Sequence, residues 1–199
     1  MVGAFARDAG HPPGKSRSGG RHMSDVTKCI EILGDAIAFE EEGIRFFTEH
    51  AESAGSGVER KIFQSLAKDE QGHRSYLIGL RDDLIRTHNL SPLAAAADHP
   101  HDRSPRQIFE TALEGVKDPY RYVEEDLEIL KGAMEVERKG YTMYAKAAAT
   151  METAEARRLF EHLAGEEQSH YDLLKNTYEY IRDPQGWHEY EEGGMLDGG

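Results

Sequence analysis

Two short segments of the sequence interrupt an otherwise apolar helical pattern with the same polar residues. Residues 66–73 read Leu-Ala-Lys-Asp-Glu-Gln-Gly-His, and residues 163–170 read Leu-Ala-Gly-Glu-Glu-Gln-Ser-His. A Glu and a His three residues apart lie on one face of a helix, where their side chains can hold a metal ion together. Each segment therefore predicts part of a metal site on a helix.

The two segments belong to a longer internal repeat. Three residues recur 97 positions later: Glu40 as Glu137, Glu70 as Glu167, and His73 as His170. Between residues 31–77 and 128–174, 15 of 47 positions are identical. A repeat with only two copies indicates a duplicated helical hairpin with a pseudo-twofold axis, because a solenoid array needs three or more units.

The spacing of apolar residues predicts four long helices, at about residues 24–54, 58–88, 124–150 and 153–182. Ser24 and Asp25 are candidate caps of the first helix. The long connection between the second and third helices includes Ser104-Pro105, a typical start for a short helix, here expected to run to about residue 116. This connection is long enough to run the length of a helical bundle.

We expect three regions along the chain. Residues 1–23 carry Arg, Gly, Pro and Ser without an apolar core, which is typical of a disordered leader or a tag. Residues 24–182 carry the helical pattern and form one domain. Residues 183–199 form a C-terminal tail that contains the only tryptophan, Trp187.

Composition excludes several classes of function. The net charge of −13 argues against a nucleic-acid partner, because little positive charge is available to neutralise phosphates. The single cysteine, Cys29, excludes a disulfide within the chain and a cysteine-ligated zinc or iron centre, and it fits a reducing cytoplasm. No apolar run approaches the roughly 18 residues of a membrane span, so we expect no membrane partner.

The six repeated residues occupy inward positions of apolar stripes, which points to a shared metal centre. Burying four carboxylates without compensation costs several kcal/mol for each of them. Metal binding removes this cost, and two imidazoles among the carboxylates favour metal over simple protonation. Four Glu and two His are the complement of a dinuclear centre in a four-helix bundle. The competing interpretation is a buried polar network that holds no metal.

Other notable side chains have simpler interpretations. His50, His88 and His162 are expected on the surface, outside the site. Glu41 and Glu42 follow Glu40 but lie on other faces of the helix, so we expect them in solvent. Core positions are predicted for three further residues: Tyr141, Tyr144 and Cys29.

The chain resembles the rubrerythrin-type di-iron domains of the ferritin-like superfamily. The resemblance rests on residues 36–40 (Ala-Ile-Ala-Phe-Glu) with Gly43, on residues 66–73, and on their copies around Glu137 and at residues 163–170. It implies an all-α, ferritin-like four-helix bundle of two repeated helical hairpins with one long crossover connection. It also implies two bound iron ions, with manganese or mixed metals as alternatives.

In this interpretation Glu70 and Glu167 bridge the two ions. The other four ligands complete one coordination sphere each, Glu40 with His73 and Glu137 with His170. Tyr144 is expected to donate a hydrogen bond beside the site. The implied function is an oxidoreductase that reduces peroxide or dioxygen with electrons from an external donor, in a homodimer that responds to oxidative stress.

Two departures from the family pattern keep other functions open. Typical rubrerythrins carry a C-terminal rubredoxin domain with four cysteines, which this chain lacks. Peroxidase-type members have an extra Glu one turn after the third-helix ligand, and the residue here is Gly140. A ferroxidase or an iron storage or delivery protein is therefore an alternative, and a structural bundle with a vestigial metal site is a further one.

Overall fold

The computed structural model describes residues 18–91, 93, 104–116 and 124–187, and this part of the chain is helical without any strand. Five helices are described over their whole length: α1 (Ser18–Ser53), α2 (Gly57–Thr87), α3 (Pro105–Leu113), α4 (Glu124–Thr150) and α5 (Ala154–Arg182). The four long ones form the bundle. The predicted all-α fold of two helical hairpins is confirmed.

Short connections make each hairpin antiparallel. Three residues separate α1 from α2, and three separate α4 from α5. These two pairs make the most extensive contacts, while α3 packs against α2 and α5. The α3 helix begins at the predicted place: the Ser104 side chain accepts from the backbone N–H of Gln107, whose side chain accepts in turn from the backbone of Ser104.

The start of α1 differs from the prediction. The helix begins at Ser18 rather than at Ser24 or Asp25. The Asp25 side chain is fully buried and accepts hydrogen bonds from the backbone N–H groups of Glu152 (3.0 Å) and Thr153 (2.6 Å). Asp25 therefore satisfies the start of α5 instead of its own helix, and the side chain of Thr153, the N-cap residue of α5, makes no capping hydrogen bond.

The apolar core is divided into two clusters that lie on either side of the middle of the bundle. One cluster contains Leu33 and Ile37 of α1, and the other contains Phe47 of the same helix. Every long helix passes from one cluster to the other. The inward positions between the clusters belong to the six predicted ligand residues, so the fold itself creates a polar layer in the middle of an apolar bundle.

The described part of the tail packs against α3 and the end of α5. The Trp187 ring lies 5.2 Å from the Phe109 ring of α3 and 5.5 Å from the Tyr180 ring, and its N–H donates to Asn176. None of the helices in the described ranges is long and apolar enough to cross a membrane. Residues 1–17 of the predicted leader and residues 188–199 of the tail lie outside the described residues.

The exposure of individual side chains tests the predicted surface and core positions. Glu41, Glu42 and His88 are exposed, as predicted, and Cys29 is buried against Met151. The predicted core position of Tyr141 is wrong, because its side chain is exposed. Gly140 takes the inward position at that turn of α4, and Tyr144 occupies the next one.

Candidate metal centre

The structure brings all six predicted ligand residues into the layer between the two apolar clusters. Their carboxylates are buried: Glu40, Glu70, Glu137 and Glu167 each expose 3% or less. His170 is buried as well, and the His73 side chain exposes 17%. The site is therefore closed along the bundle axis by the apolar clusters and reaches solvent beside His73.

Glu70 connects the two halves of the site. Its Oε2 atom lies 3.0 Å from Nδ1 of His73, and its Oε1 atom lies 3.0 Å from Nδ1 of His170. The two imidazole rings are stacked, with centroids 5.5 Å apart and planes within 19°. One carboxylate thus presents an oxygen to each of two imidazole nitrogens, which is the geometry expected of a bridging carboxylate.

The side chains define two adjacent places for a cation. Atoms that could bind one ion lie within 4.8 Å of one another in each of two groups. These groups are Glu40, Glu70, His73 and Glu167, and Glu70, Glu137 and His170. We call the place beside Glu40 and His73 position A, and the place beside Glu137 and His170 position B. The six residues thus lie together, and Glu70 belongs to both groups, whereas Glu167 belongs only to the group of position A. The roles of all six as ligands, and of Glu167 as a bridge, stay predictions.

Burial and charge act together on the protonation of the site. Burial alone would raise the pKa of Glu70, but His170 and hydrogen bonds hold it well below its usual value. Burial would likewise lower the pKa of His170, but Glu70 and Glu137 raise it well above the ordinary range. Burial raises the pKa of Glu40 and Glu167, and the neighbouring carboxylates raise both further. Without metal, the cluster therefore retains protons that a bound cation would displace.

The donor set fits a pair of metal ions. Two buried carboxylate oxygens of the site have no hydrogen-bond partner among the residues described: Glu40 Oε2 and Glu137 Oε1. Buried polar atoms are normally satisfied, so these atoms call for a further partner. Mixed carboxylate and imidazole donors suit iron, manganese and similar cations. The residues present could therefore hold metal at both positions.

Tyr144 lies where the sequence predicts it, beside Glu40. Its buried hydroxyl donates a hydrogen bond to Glu40 Oε1 at 2.6 Å. Burial and the carboxylate of Glu40 raise the pKa of Tyr144 well above its usual value, so the phenol keeps its proton. This contact fixes one oxygen of Glu40 and leaves Oε2 facing position A.

The site also includes residues that the sequence prediction missed. Oε2 of Glu166 lies 3.3 Å from Nε2 of His73, and Oε1 of the same carboxylate lies 3.6 Å from Nε2 of His162. His162 is half-buried, so its expected place outside the site is wrong. A carboxylate on the far nitrogen of a metal-binding imidazole fixes the tautomer and orientation of the ring. His50 is also half-buried, with its ring against Phe46.

Gly140 is required by the position of a ligand. A Cβ atom there would come within 2.8 Å of the Phe39 ring and 2.7 Å of Glu167 Cδ. The equivalent glycine of the first hairpin, Gly43, is less crowded, with Glu70 Cγ at 3.6 Å from such an atom. The space that an extra side chain would need on α4 is filled by the carboxylate of Glu167.

These features define a ferritin-like helical bundle with a carboxylate and histidine cluster able to bind metal. The family model for Rubrerythrin matches residues 31–178 of the 199 in the chain. The chain belongs to the rubrerythrin family. No curated protein and no solved structure gave a significant match to it.

Proposed function

We propose that this protein is a di-iron oxidoreductase that reduces peroxide or dioxygen with electrons from an external donor in the cytoplasm. The observation that carries the proposal is Glu70, whose two oxygens each lie 3.0 Å from a different imidazole nitrogen. Two ferrous ions bound at positions A and B would supply the two electrons that such a reduction needs.

The protein contributes ligands, orientation and shielding. Glu40 with His73 would hold the ion at position A, and Glu137 with His170 the ion at position B, with Glu70 and Glu167 shared. Tyr144 orients Glu40, and Glu166 orients His73, through the contacts at 2.6 and 3.3 Å. The apolar clusters exclude water from both ends of the layer, so a small oxidant would reach the site beside His73, whose side chain is 17% exposed.

Anaerobic loading with ferrous iron followed by stopped-flow mixing tests the proposal. The loaded protein is mixed with peroxide and, in a separate experiment, with dioxygen. We expect the bound iron to be oxidised faster than the same concentration of free ferrous iron, and to be reduced again by an added electron donor. A rate no faster than that of free iron for both oxidants would reject the enzyme function.

Iron oxidation for storage or delivery is the second candidate, and Gly140 favours it. The crowding around this residue leaves no room for an additional carboxylate from α4 without displacing Glu167. The site then keeps six ligands in a nearly symmetric arrangement, as a general ferroxidase site would. A native mass corresponding to a large closed shell would support storage, whereas the expected homodimer would disfavour it.

A structural bundle with an unused site is the remaining candidate. It predicts that protein loaded with ferrous iron without oxygen and then dialysed retains well below one ion per chain. Retention of two ions per chain would exclude it and would support both of the other candidates.

A further inference from the structure

The internal repeat allows the two metal positions to be compared residue by residue. Position A and position B have equivalent ligands, because Glu40 and His73 repeat as Glu137 and His170. The residues that surround these ligands are not equivalent. Four differences between the hairpins place a hydrogen-bonding or charged group close to the ligands of position A.

The first difference is the phenol on Glu40. Tyr144 donates to Glu40 Oε1 at 2.6 Å. The equivalent residue for position B is Phe47, which has no hydroxyl group. Accordingly, Oε1 of Glu137 is buried without a hydrogen-bond partner in the described ranges. Glu40 is therefore held by a phenol before any ion binds, and Glu137 has no such partner on its Oε1 atom.

The other three differences concern Glu166 and its neighbours. Glu166 lies 3.3 Å from the far nitrogen of His73. His162 lies 3.6 Å from the other oxygen of this carboxylate. Burial and the charge of Glu166 raise the pKa of Tyr76, which places that phenol near the same carboxylate. Their repeat equivalents lack these groups: Asp69 for Glu166, Ser65 for His162 and Leu173 for Tyr76. At these equivalent places, the surroundings of position B therefore have a shorter acid and neither the imidazole nor the phenol.

Ordering of ligands before binding has a direct effect on affinity. A ligand that is already oriented loses less conformational freedom when the ion arrives. Partners of metal ligands typically change metal affinity by about 10- to 100-fold when they are removed. Tyr144 and Glu166 act on the two ligands of position A, and neither contacts a ligand that belongs to position B alone in the contacts described above.

We propose that the two positions are inequivalent. Position A, whose ligands are ordered by Tyr144 and by Glu166 with His162, binds its ion first and releases it last. Position B fills second and loses its ion first. This inference rests on the proposed two-metal site. Tyr144, Glu166 and His162 are positioning residues in it, since they act through Glu40 and His73. The ion at position B would be the exchangeable one.

Stepwise binding of cobalt(II) to the metal-free full chain tests this inference without any turnover. Cobalt(II) accepts mixed carboxylate and imidazole ligands. Unlike ferrous iron, it can be titrated in air. We expect two binding steps whose dissociation constants differ by about 10- to 100-fold. Glu40→Gln should remove the tight step, whereas Glu137→Gln should remove the weak step and leave the tight one.

A variant that removes two of the differences between the hairpins provides the second arm. Tyr144→Phe with His162→Ser introduces at each position the residue that the other hairpin already carries. We expect the first step to weaken toward the second, and each single substitution to produce part of the change. His88→Asn is the matched control, because it also removes one imidazole but at an exposed helix end with φ of 52°, which Asn tolerates.

The outcomes separate this inference from the proposed function. Two steps of equal affinity in the natural sequence would overturn the inequivalence, and loss of the tight step in Glu137→Gln would overturn the proposed order of filling. Both results would leave the two-metal site intact. Binding of fewer than two ions at saturation would reject the two-metal site itself. Circular dichroism of each variant verifies that the helices are retained, and the single variants suffice if the double variant does not fold.

Discussion

Glu59 and Glu70 lie on the same helix and are both buried, with exposures of 0% and 3%. Their charged neighbours differ. Glu70 lies between two imidazoles, which hold its pKa well below the usual value despite burial. Glu59 has no imidazole beside it, and both of its oxygens lack a hydrogen-bond partner in the described part of the chain. Burial and the nearby Asp126 raise the pKa of Glu59 to about 8.

The comparison shows how a bundle can tolerate a buried carboxylate in two ways. Glu70 stays ionised because positive charge is built around it, which prepares it for a cation. Glu59 keeps a proton at neutral pH because burial disfavours its ionised form and the nearby Asp126 adds a like charge. Only the first environment has the donors of a metal site, so burial of acidic residues alone does not identify one.

The largest expected effect follows from replacing Glu70, which belongs to both metal positions. Glu70→Ala should reduce metal retention from two ions per chain to almost none, because position A and position B lose a shared ligand together. Metal analysis after anaerobic ferrous loading and dialysis measures this, and circular dichroism verifies the helices. Glu59→Gln is the matched control on the same helix and should retain both ions. Unchanged metal content in Glu70→Ala would show that the ligand assignment is wrong.

The second prediction concerns the alkaline stability of the metal-free protein. The pKa of Glu59 is raised in the folded state, from 4.5 to about 8. The folded protein therefore binds more protons than the unfolded chain between these values, and stability falls as pH rises through this window. Glu59→Gln removes the titration. We expect it to be more stable than the natural sequence by roughly 2–4 kcal/mol at pH 9 and within about 1 kcal/mol of it at pH 5.

Urea unfolding of both proteins at pH 5, 7 and 9 measures this difference. Comparison at each pH is needed because burial also raises the pKa of Glu40, Glu137 and Glu167, and these residues contribute to the pH dependence of both proteins equally. A constant difference between the two proteins from pH 5 to pH 9 would contradict the proposed protonation of Glu59.

The two equivalent glycines provide an intermediate effect. Gly140→Ala places a methyl group against Glu167 and the Phe39 ring, so we expect a loss of about 1–3 kcal/mol and weaker metal binding. Gly43→Ala meets only an ordinary contact at 3.6 Å, and alanine favours the helix. We expect Gly43→Ala to change stability by less than about 1 kcal/mol, in either direction. Thermal melting and metal titration of the pair measure both properties, and similar values for the two variants would contradict the difference in crowding.

Periodicity and the repeat were sufficient to predict the fold and the assembly of the six residues. Both depend on local spacing: a Glu and a His three residues apart share a helix face wherever the helix is placed. Glu166 and His162 were not predicted, although a signal was present. His162, Glu166 and His170 are spaced four residues apart and therefore share one face of α5, so His162 could have been grouped with the site.

Other details depend on contacts between distant parts of the chain. Tyr141 was assigned to the core because it follows Glu137 at helical spacing, but the inward position belongs to Gly140, where Glu167 of another helix fills the space. The role of Asp25 is of the same kind. Its hydrogen-bond donors lie 127 and 128 residues further along the chain, so no local rule for helix caps could have found them.

Asp25 gives the smallest expected effect and a third way to tolerate a buried carboxylate. Burial would raise the pKa of Asp25, but hydrogen bonds from Thr153 and Glu152 lower it below the usual value of 3.8. The stabilisation is therefore present above this value and is lost as pH falls through the lowered pKa of the folded state. Asp25→Asn should destabilise the protein by about 1 kcal/mol at pH 7, because an amide accepts these bonds less well than a carboxylate.

Urea unfolding of the metal-free protein at pH 7 and at pH values below 3.8 tests this role. We expect the difference in the free energy of unfolding between Asp25→Asn and the natural sequence to become smaller at acid pH. Glu155→Gln is the matched control, since it also neutralises an acid at the start of α5 but in an exposed position. We expect it to cost a few tenths of a kcal/mol at most. Equal effects of the two substitutions at pH 7 would show that Asp25 acts through charge near the helix start, whereas a larger effect of Asp25→Asn requires its hydrogen bonds to the backbone just before α5.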